Sequence, residues 1–316
     1  MRRLTGLLLG VLMVSSLTLG SCAATMARPA AQGQPVKVIA GMAIVKDLVE
    51  QVGGDRVAVS SVVPPGADPH TYQPTPRDIQ SMQGARLAVW NGLGLDEIAA
   101  DLVQEQQLPD LMTVVLSDGI QPLADDDGDM DEHEGEDAHE HDHSHAAGNP
   151  HLWLDPTYAI KYVGSIRDAL IEVDPAGADV YRANAEAYIG QIEALDLWAQ
   201  AEIEKIPVER RKLVTFHDAF PYFAQHYGLE MVGVVLKSPG REPSAQEVAA
   251  LVTEIQQHQI PAVYVEPQFN ARILELAARD AGIQVRRLYS DAFDHQVGTY
   301  LDLMRFNVTS VVEGLS

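Results

Sequence analysis

Short apolar strands alternate with helices of about ten residues along most of this 316-residue chain. Strands are predicted at residues 36–40, 56–63, 86–90, 112–116, 212–215, 230–236, 262–265 and 284–288. Brief, nearly continuous apolar runs separated by helices are typical of parallel sheets whose two faces are both covered. The pattern therefore predicts an α/β protein with two lobes, each built on a four-stranded, mostly parallel sheet flanked by helices.

A longer helix is predicted between the two halves, over residues 175–205. This segment is rich in Ala, Glu, Gln, Ile and Leu and has no proline after Pro175. At 1.5 Å per residue it would be about 45 Å long, and we expect it to join the lobes rigidly. Its buried stripe is predicted to contain Val180, Ala183, Ala187, Ile192, Leu195 and Ile203. Further helices are predicted to begin near residues 218, 244, 270 and 295, with Ser244 and Glu247 forming a capping box.

The N-terminus has the features of a secretory signal. Arg2 and Arg3 precede an apolar stretch, Leu4 to Gly20, which ends in Leu-Gly-Ser-Cys. This string resembles a bacterial lipobox, which implies that Cys22, the only cysteine, carries a lipid anchor; cleavage near residues 23–24 is the alternative. One cysteine excludes an internal disulfide. The predicted organisation is a signal peptide (1–21), a tether (22–35), an N-terminal lobe (36–174), the connecting helix (175–205) and a C-terminal lobe (206–316).

Residues 125–147 form an acidic segment that is dense in histidine. Eleven carboxylates occur between Asp125 and Asp142 without Lys or Arg, and the five loop histidines are His133, His139, His141, His143 and His145. Such a segment buries too little apolar surface to offset its ordering entropy, so we expect a mobile loop. Imidazole and carboxylate are ligands for borderline divalent cations, which predicts weak secondary metal binding. A solvated acidic linker is the alternative.

The overall charge also favours cationic ligands. Removal of Arg2 and Arg3 takes the formal charge from −23 to −25, of which the eleven loop carboxylates account for −11. The remaining body is still acidic, which argues against nucleic acid as a partner.

Four candidate metal ligands follow predicted strands or the histidine-rich loop: His70, His151, His217 and Asp291. Ligands in open α/β sheets gather beyond the carboxyl ends of strands, where these residues would converge. Three imidazoles and one carboxylate make a set suited to zinc. Each signal is weak alone, because a single histidine after a strand is often only hydrogen-bonded and Asp291 could be a helix N-cap.

Other polar residues near strand ends receive different predictions. Glu266 ends another strand, and we expect it to orient a histidine rather than bind metal, although it is the alternative to Asp291. His226 is expected to be packed within a helix, His258 to lie at the surface, and His295 to start a helix.

Several ordered motifs resemble the zinc and manganese solute-binding proteins of bacterial ABC importers, in the ZnuA and TroA-like branch. The motifs are PPGADPHTYQPTPRD, NGLGLDE, NPHLWLDP, TFHDAFPYFAQHYGL and VEPQFNARILELA, and the resemblance spans residues 35–315. It implies two α/β lobes, a rigid connecting helix, and metal in the cleft held by His70, His151, His217 and Asp291. Manganese-preferring members commonly have a carboxylate where this chain has His217, so the histidine and the histidine-rich insertion resemble the zinc branch. Some zinc-branch members complete the site with water or a glutamate instead of the aspartate.

The resulting expectation is a monomeric zinc-binding protein that delivers Zn²⁺ to an ABC permease and its ATPase. We expect it in the periplasm or on the outer face of the cell membrane, held by its lipid anchor. A manganese or iron protein of the same family is one alternative, and an adhesin or metal buffer is another. A zinc-dependent hydrolase is the rival from a different class, but no predicted helix carries an H-E-x-x-H motif.

Overall fold

Two parallel sheets of four strands each form the framework of the described part of the chain. The computed structural model describes residues 33–108, 110–124, 148–236, 240–241 and 243–316. The predictions made for Cys22 and for the five loop histidines lie outside the described residues. Among the described helices, none has the length and apolar character needed to cross a bilayer.

The first sheet has the strand order β2-β1-β3-β4, with every neighbouring pair parallel. Its strands are β1 (Val36–Ala40), β2 (Val57–Ser61), β3 (Leu87–Trp90) and β4 (Met112–Val115). The accompanying helices are α1 (Ala43–Gly53), α2 (Pro76–Ser81), α3 (Glu97–Glu105) and α4 (Pro156–Val173). All four residues of β3 are buried, as expected for a central strand that is covered on both faces.

The second sheet repeats this arrangement, with the order β6-β5-β7-β8 and parallel pairing throughout. Its strands are β5 (Lys212–His217), β6 (Glu230–Leu236), β7 (Ala262–Val265) and β8 (Gln284–Arg287). The helices are α6 (Pro221–Tyr227), α7 (Ala245–Gln257), α8 (Arg272–Asp280) and α9 (Tyr300–Leu315). The predicted α/β architecture with two four-stranded parallel sheets is confirmed.

The long helix α5 (Ala178–Ile203) connects the two halves and follows a short helical turn at Pro175–Gly177. Its 26 residues span about 39 Å. The predicted stripe was wrong at three positions, since Val180, Ala183 and Ala187 are exposed. The tyrosines decide which face of the helix is buried, because their large rings bury the most surface. The buried stripe comprises Tyr181, Ala185, Tyr188, Ile192, Leu195, Ala199 and Ile203.

Two predicted helix starts in the C-terminal half have different outcomes. Ser244 and Glu247 form the predicted capping box: the Ser244 N–H donates to the Glu247 carboxylate, and the Glu247 N–H donates to Ser244 Oγ. The last helix begins at Tyr300, so the prediction of a start at His295 was wrong. The Thr299 hydroxyl accepts a hydrogen bond from the Asp302 N–H. This N-cap fixes the start of the helix at Tyr300, several residues after His295.

A continuous core packs the two sheets around α5. This helix lies against α1, α4 and α9, and one cluster of buried side chains contains residues from both halves. Two hydrogen bonds cross between the halves: Trp153 Nε1 donates to the Ser290 carbonyl, and the Tyr300 hydroxyl donates to the Trp153 carbonyl. These bonds tie the segment that follows His151 to the loop after β8 and to the start of α9.

Candidate metal centre

The four candidate ligands meet at the carboxyl edges of the two sheets. His70 lies in the loop after β2, and His151 precedes a short helical turn that leads into α4. His217 is the last residue of β5, and Asp291 lies in the loop after β8. Each half of the molecule contributes two residues, which we call the His3Asp cluster (His70, His151, His217 and Asp291). One donor atom of each residue lies within 4.8 Å of the others.

Five donor-to-donor distances within the His3Asp cluster, which involve both oxygens of Asp291, have the size of the edges of a coordination tetrahedron. His151 Nε2 is 3.2 Å from His70 Nε2 and 3.3 Å from His217 Nε2. Asp291 Oδ1 is 3.2 Å from His151 Nε2, and Asp291 Oδ2 is 3.3 Å from His217 Nε2 and 3.8 Å from His70 Nε2. A tetrahedral zinc with ligands at 2.0–2.1 Å would have edges of about 3.3–3.4 Å.

The cluster is almost completely buried. The side chains of His151, His217 and Asp291 are at most 3% exposed, and that of His70 is 6% exposed. Three imidazoles and a carboxylate packed this closely, away from water, need a positive charge among them. A bound cation, or a proton in its absence, meets that requirement.

The loop that holds His70 is fixed by its own side chains. Asp68 accepts hydrogen bonds from the His70 N–H and from the Thr71 hydroxyl. Further along, Asp78 accepts from the Tyr72 hydroxyl and from the N–H of Thr75. These bonds, in a segment with several prolines, restrict the loop before any metal arrives.

The outer nitrogens of two histidines have dedicated partners. His151 Nδ1 lies 2.9 Å from Asn149 Oδ1, which also accepts the backbone N–H of His151. His217 Nδ1 contacts Glu266. Partners of this kind set the orientation and tautomer of a metal-binding imidazole. Glu266 lies on the outer side of the His217 ring, so Asp291, and not Glu266, faces the inward Nε2 atoms.

The charges of the buried groups depend on one another. Burial lowers the pKa of His217, but the carboxylates of Glu266 and Asp291 outweigh this effect and hold the pKa well above its ordinary value. Burial raises the pKa of Asp291, but the imidazoles of His151 and His217 hold this pKa well below its ordinary value. Both shifts favour a charged imidazole beside a charged carboxylate when no metal is bound, and a cation would compete with that proton for the imidazole.

Four supporting residues were missed by the sequence analysis. Asn91 donates to the Pro150 carbonyl, next to His151, and accepts from the Tyr162 hydroxyl. Asn149, Ser290 and Gln268 contact the His3Asp cluster directly. Only Asn149 had a local signal, because Asn followed by Pro favours a turn whose side chain accepts a nearby N–H.

The remaining described histidines lie away from the centre. His226 lies on α6 with Nε2 at 2.8 Å from Asp196 and Nδ1 at 3.3 Å from Asp155, which agrees with its prediction as packed. His258 is exposed, as predicted, and His295 lies in the loop before α9.

Comparison with known proteins matches this chain to one family. A family model described as "Zinc-uptake complex component A periplasmic" matches residues 38–314. The manganese-binding lipoprotein MntA of Halalkalibacterium halodurans is 33% identical over 97% of both chains. The iron-binding protein YfeA of Yersinia pestis is 32% identical over 90% of this chain and 88% of its own.

Solved structures show the same fold. The periplasmic zinc binding protein TroA from Treponema pallidum matches 90% of this chain and 100% of its own, with a TM-score of 0.74 and 27% identity. A manganese-bound periplasmic metal binding protein from Candidatus Liberibacter asiaticus matches 89% of this chain and 100% of its own, with a TM-score of 0.73 and 28% identity.

Proposed function

Because the chain belongs to the family of periplasmic zinc-uptake component A proteins, we propose that it is the zinc-binding component of an ABC importer. Family membership itself makes the chain a metal-binding solute-binding protein of such an importer. It acts outside the cytoplasm together with a permease and an ATPase, and it is not an enzyme. The proposal adds the metal, Zn²⁺, and its ligands, which are the four residues of the His3Asp cluster.

One observation carries the choice of zinc. Three imidazole nitrogens and the two oxygens of one carboxylate face one another, and five of the distances among them are 3.2–3.8 Å, close to the edges of a tetrahedron around zinc. Imidazole ligands suit zinc, whereas manganese prefers oxygen ligands in larger coordination numbers. His217 decides between the two metals. A carboxylate at this position would give two oxygen donors and two nitrogen donors, a set that suits manganese better than the three imidazoles found here.

Manganese or iron is the second candidate, and it is favoured by the similarity to the manganese-binding MntA and the iron-binding YfeA. Identity over the whole chain says little about the metal, since the choice depends on four side chains and their immediate partners. The TroA structure, named as zinc binding, is similar to this chain over a comparable length. For these reasons the donor set has more weight here than the overall identity.

The two halves of the molecule would respond jointly to the metal. His70 and His151 belong to the first half, and His217 and Asp291 to the second, so a bound ion would link both sheets. The packed helix α5 and the hydrogen bonds around Trp153 restrict the halves to small rocking or loop ordering. A permease would then distinguish the loaded form by the surface that these loops present.

The N-terminal segment and the acidic loop have accessory roles in this proposal. Lipid attachment at Cys22 would keep the protein at the outer face of the membrane, as the name of the lipoprotein MntA also suggests. The five loop histidines would collect metal weakly and pass it to the His3Asp cluster.

Native mass spectrometry of the mature protein with equimolar Zn²⁺ and Mn²⁺ tests the proposal. We expect one retained zinc per molecule in the wild type and in His258→Ala, an exposed histidine that serves as the control. His217→Ala should lose that zinc, because one of three imidazole donors disappears. Retained manganese in the wild type, or an unaffected His217→Ala variant, would contradict the metal or the ligand set.

A further inference from the structure

The residues on either side of the acidic segment 125–147 are held against each other. The Asn149 N–H donates to the Leu123 carbonyl at 3.0 Å. Gly148 has a φ of +94°, and a Cβ at this position would lie 2.8 Å from the Leu123 carbonyl oxygen. Glycine suits such a close approach in this conformation, because it has no Cβ. The two sides therefore meet at what we call the loop base (Leu123, Gly148 and Asn149).

The hydroxyl of Tyr222, on α6, joins both sides of the loop base. It accepts the N–H of Leu123 at 2.9 Å and donates to the Asn149 carbonyl at 2.7 Å. Tyr222 is buried, and its ring packs edge-on against the ring of Tyr158 on α4, with 5.7 Å between the ring centroids. A phenolic hydroxyl can donate one hydrogen bond and accept another, so this single group satisfies both backbone partners. The C-terminal half of the molecule thereby holds the loop base, which belongs to the N-terminal half.

Asn149 connects the loop base to the His3Asp cluster. Its Nδ2 donates to the carbonyl of Asp218, the residue after His217, at 2.7 Å. Its Oδ1 accepts the His151 N–H at 3.1 Å and lies 2.9 Å from His151 Nδ1. A hydrogen bond from Nδ1 to this oxygen sets the tautomer in which Nε2 is free to bind metal. The position of Asn149 therefore decides the orientation of His151.

We propose that Tyr222 is a positioning residue that holds His151 in place independently of the acidic segment. Residues 124–148 separate Leu123 from Asn149, and the entropic cost of holding the ends of a connection together grows with its length. The Tyr222 hydroxyl offsets this cost, so the peptide before His151 is in place when metal arrives. Metal capture by the loop histidines would then not displace His151. This inference rests on the proposed function, in which His151 binds the metal.

The length of the connection distinguishes this role from a purely structural one. Deletion of residues 125–147 leaves only residues 124 and 148 between Leu123 and Asn149. The cost of joining the ends varies as the logarithm of the length to the power of three halves, so this shortening should favour the loop base about fortyfold. The short connection would then hold the loop base without help from the hydroxyl.

Zinc affinity in two backgrounds tests the inference: the mature protein, and the mature protein without residues 125–147. Tyr222→Phe is made in both backgrounds, and a chromophoric chelator of known affinity competes for Zn²⁺. The control in both backgrounds is Tyr158→Phe, which removes a hydroxyl from the neighbouring ring and leaves Tyr222 unchanged. Amide hydrogen exchange of the metal-free proteins measures the protection of the loop base.

In the mature protein, Tyr222→Phe should lower the zinc affinity of the His3Asp cluster about tenfold, as for other partners of metal ligands. It should also speed amide exchange at the loop base. Without residues 125–147, the same substitution should lower the affinity less than about threefold, because the short connection holds the loop base. Tyr158→Phe should stay within about twofold of its parent in both backgrounds.

Equal losses of affinity in the two backgrounds, or no loss in the mature protein, would overturn the inference and leave the zinc function intact. His151→Ala separates the two proposals further. If this variant keeps the zinc, the ligand set is wrong and the inference fails with it. If the wild type retains Mn²⁺ instead of Zn²⁺, the zinc function fails, and the same ratios measured with Mn²⁺ decide the inference.

Far-ultraviolet circular dichroism checks that each variant folds. If Tyr222→Phe does not fold, Gly148→Ala disturbs the loop base while keeping the hydroxyl, because its Cβ would press on the Leu123 carbonyl. We expect this variant of the mature protein to lose zinc affinity about tenfold. An unchanged affinity would overturn the inference.

Discussion

Replacement of Asn91 by alanine should weaken both the fold and the metal site. Asn91 is fully buried; its Nδ2 donates to the Pro150 carbonyl at 3.0 Å, and its Oδ1 accepts from the Tyr162 hydroxyl at 2.7 Å. Asn91→Ala leaves the buried Tyr162 hydroxyl without its acceptor, which costs about 1–3 kcal/mol, and removes one of the two hydrogen bonds to the Pro150 carbonyl, which keeps the Leu152 N–H and so costs about 0.5–1.5 kcal/mol. We therefore expect the free energy of unfolding to fall by about 3 kcal/mol.

A double-mutant cycle with Tyr162→Phe isolates the bond between these two side chains. Tyr162→Phe should cost about 2 kcal/mol, because it leaves only Asn91 Oδ1 unpaired. In the double variant no tyrosine hydroxyl is left without a partner, so its cost should be about 1–2 kcal/mol less than the sum of the single costs.

Urea unfolding of the chelator-treated protein is the appropriate assay, since bound metal would add its own stabilisation. Zinc affinity should fall about tenfold in Asn91→Ala, because the Pro150 carbonyl beside His151 loses one of its two donors and the peptide is held less firmly. Costs that add within about 0.5 kcal/mol would refute the assigned hydrogen bond. Unchanged zinc affinity would refute the link from Asn91 to His151.

Three further predictions concern the loop, a charged histidine and the connecting helix. Deletion of residues 125–147 should leave one tight zinc per molecule in native mass spectrometry, and loss of that zinc would contradict an accessory role for the loop. The hydrogen bond to Asp196, together with the charge of Asp155, raises the pKa of His226 in the folded protein. The charged His226 therefore stabilises the fold fully below about pH 6.5, the ordinary pKa of histidine, and this stabilisation is lost as the pH rises through the raised pKa. The stability gap between the wild type and His226→Gln in urea titrations should therefore be larger at about pH 6 than at about pH 9, and a gap that grows with pH would contradict this sign. Leu195→Ala, at a fully buried position of α5, should lower the free energy of unfolding by about 2–5 kcal/mol. Leu197→Ala, at a position that is 70% exposed, should lower it by less than about 0.5 kcal/mol. Equal losses in urea unfolding would disprove the assigned buried face of the helix.

The candidate ligands could be predicted because their positions follow from strand ends. Parallel strands bring their carboxyl ends to one edge, so residues such as His217 and Asp291, which end or follow strands of the same sheet, must lie near each other. The order of strands and helices could also be predicted from the sequence, since apolar runs and the residues that interrupt them are local properties of the chain.

Errors arose where the deciding interaction was weak or competed with another. On α5, alanine occurs on both faces, so the apolar spacing alone suggested Ala183 and Ala187, and the buried tyrosines decided the phase. At the last helix, Thr299 and Asp302 form a better cap than any residue near His295.

The amino-acid sequence by itself determined the α/β class, the two sheets, the connecting helix and the four residues that converge at their edges. Only the tertiary structure revealed the supporting polar residues and the facing of the Asp291 oxygens. Asn91 and Tyr162 are 71 residues apart, and Gln268 and Asp291 are 23 apart, so no periodicity or motif links them. Local structure depends on neighbours along the chain, whereas hydrogen-bond partners around a buried site are chosen by the packing of distant segments.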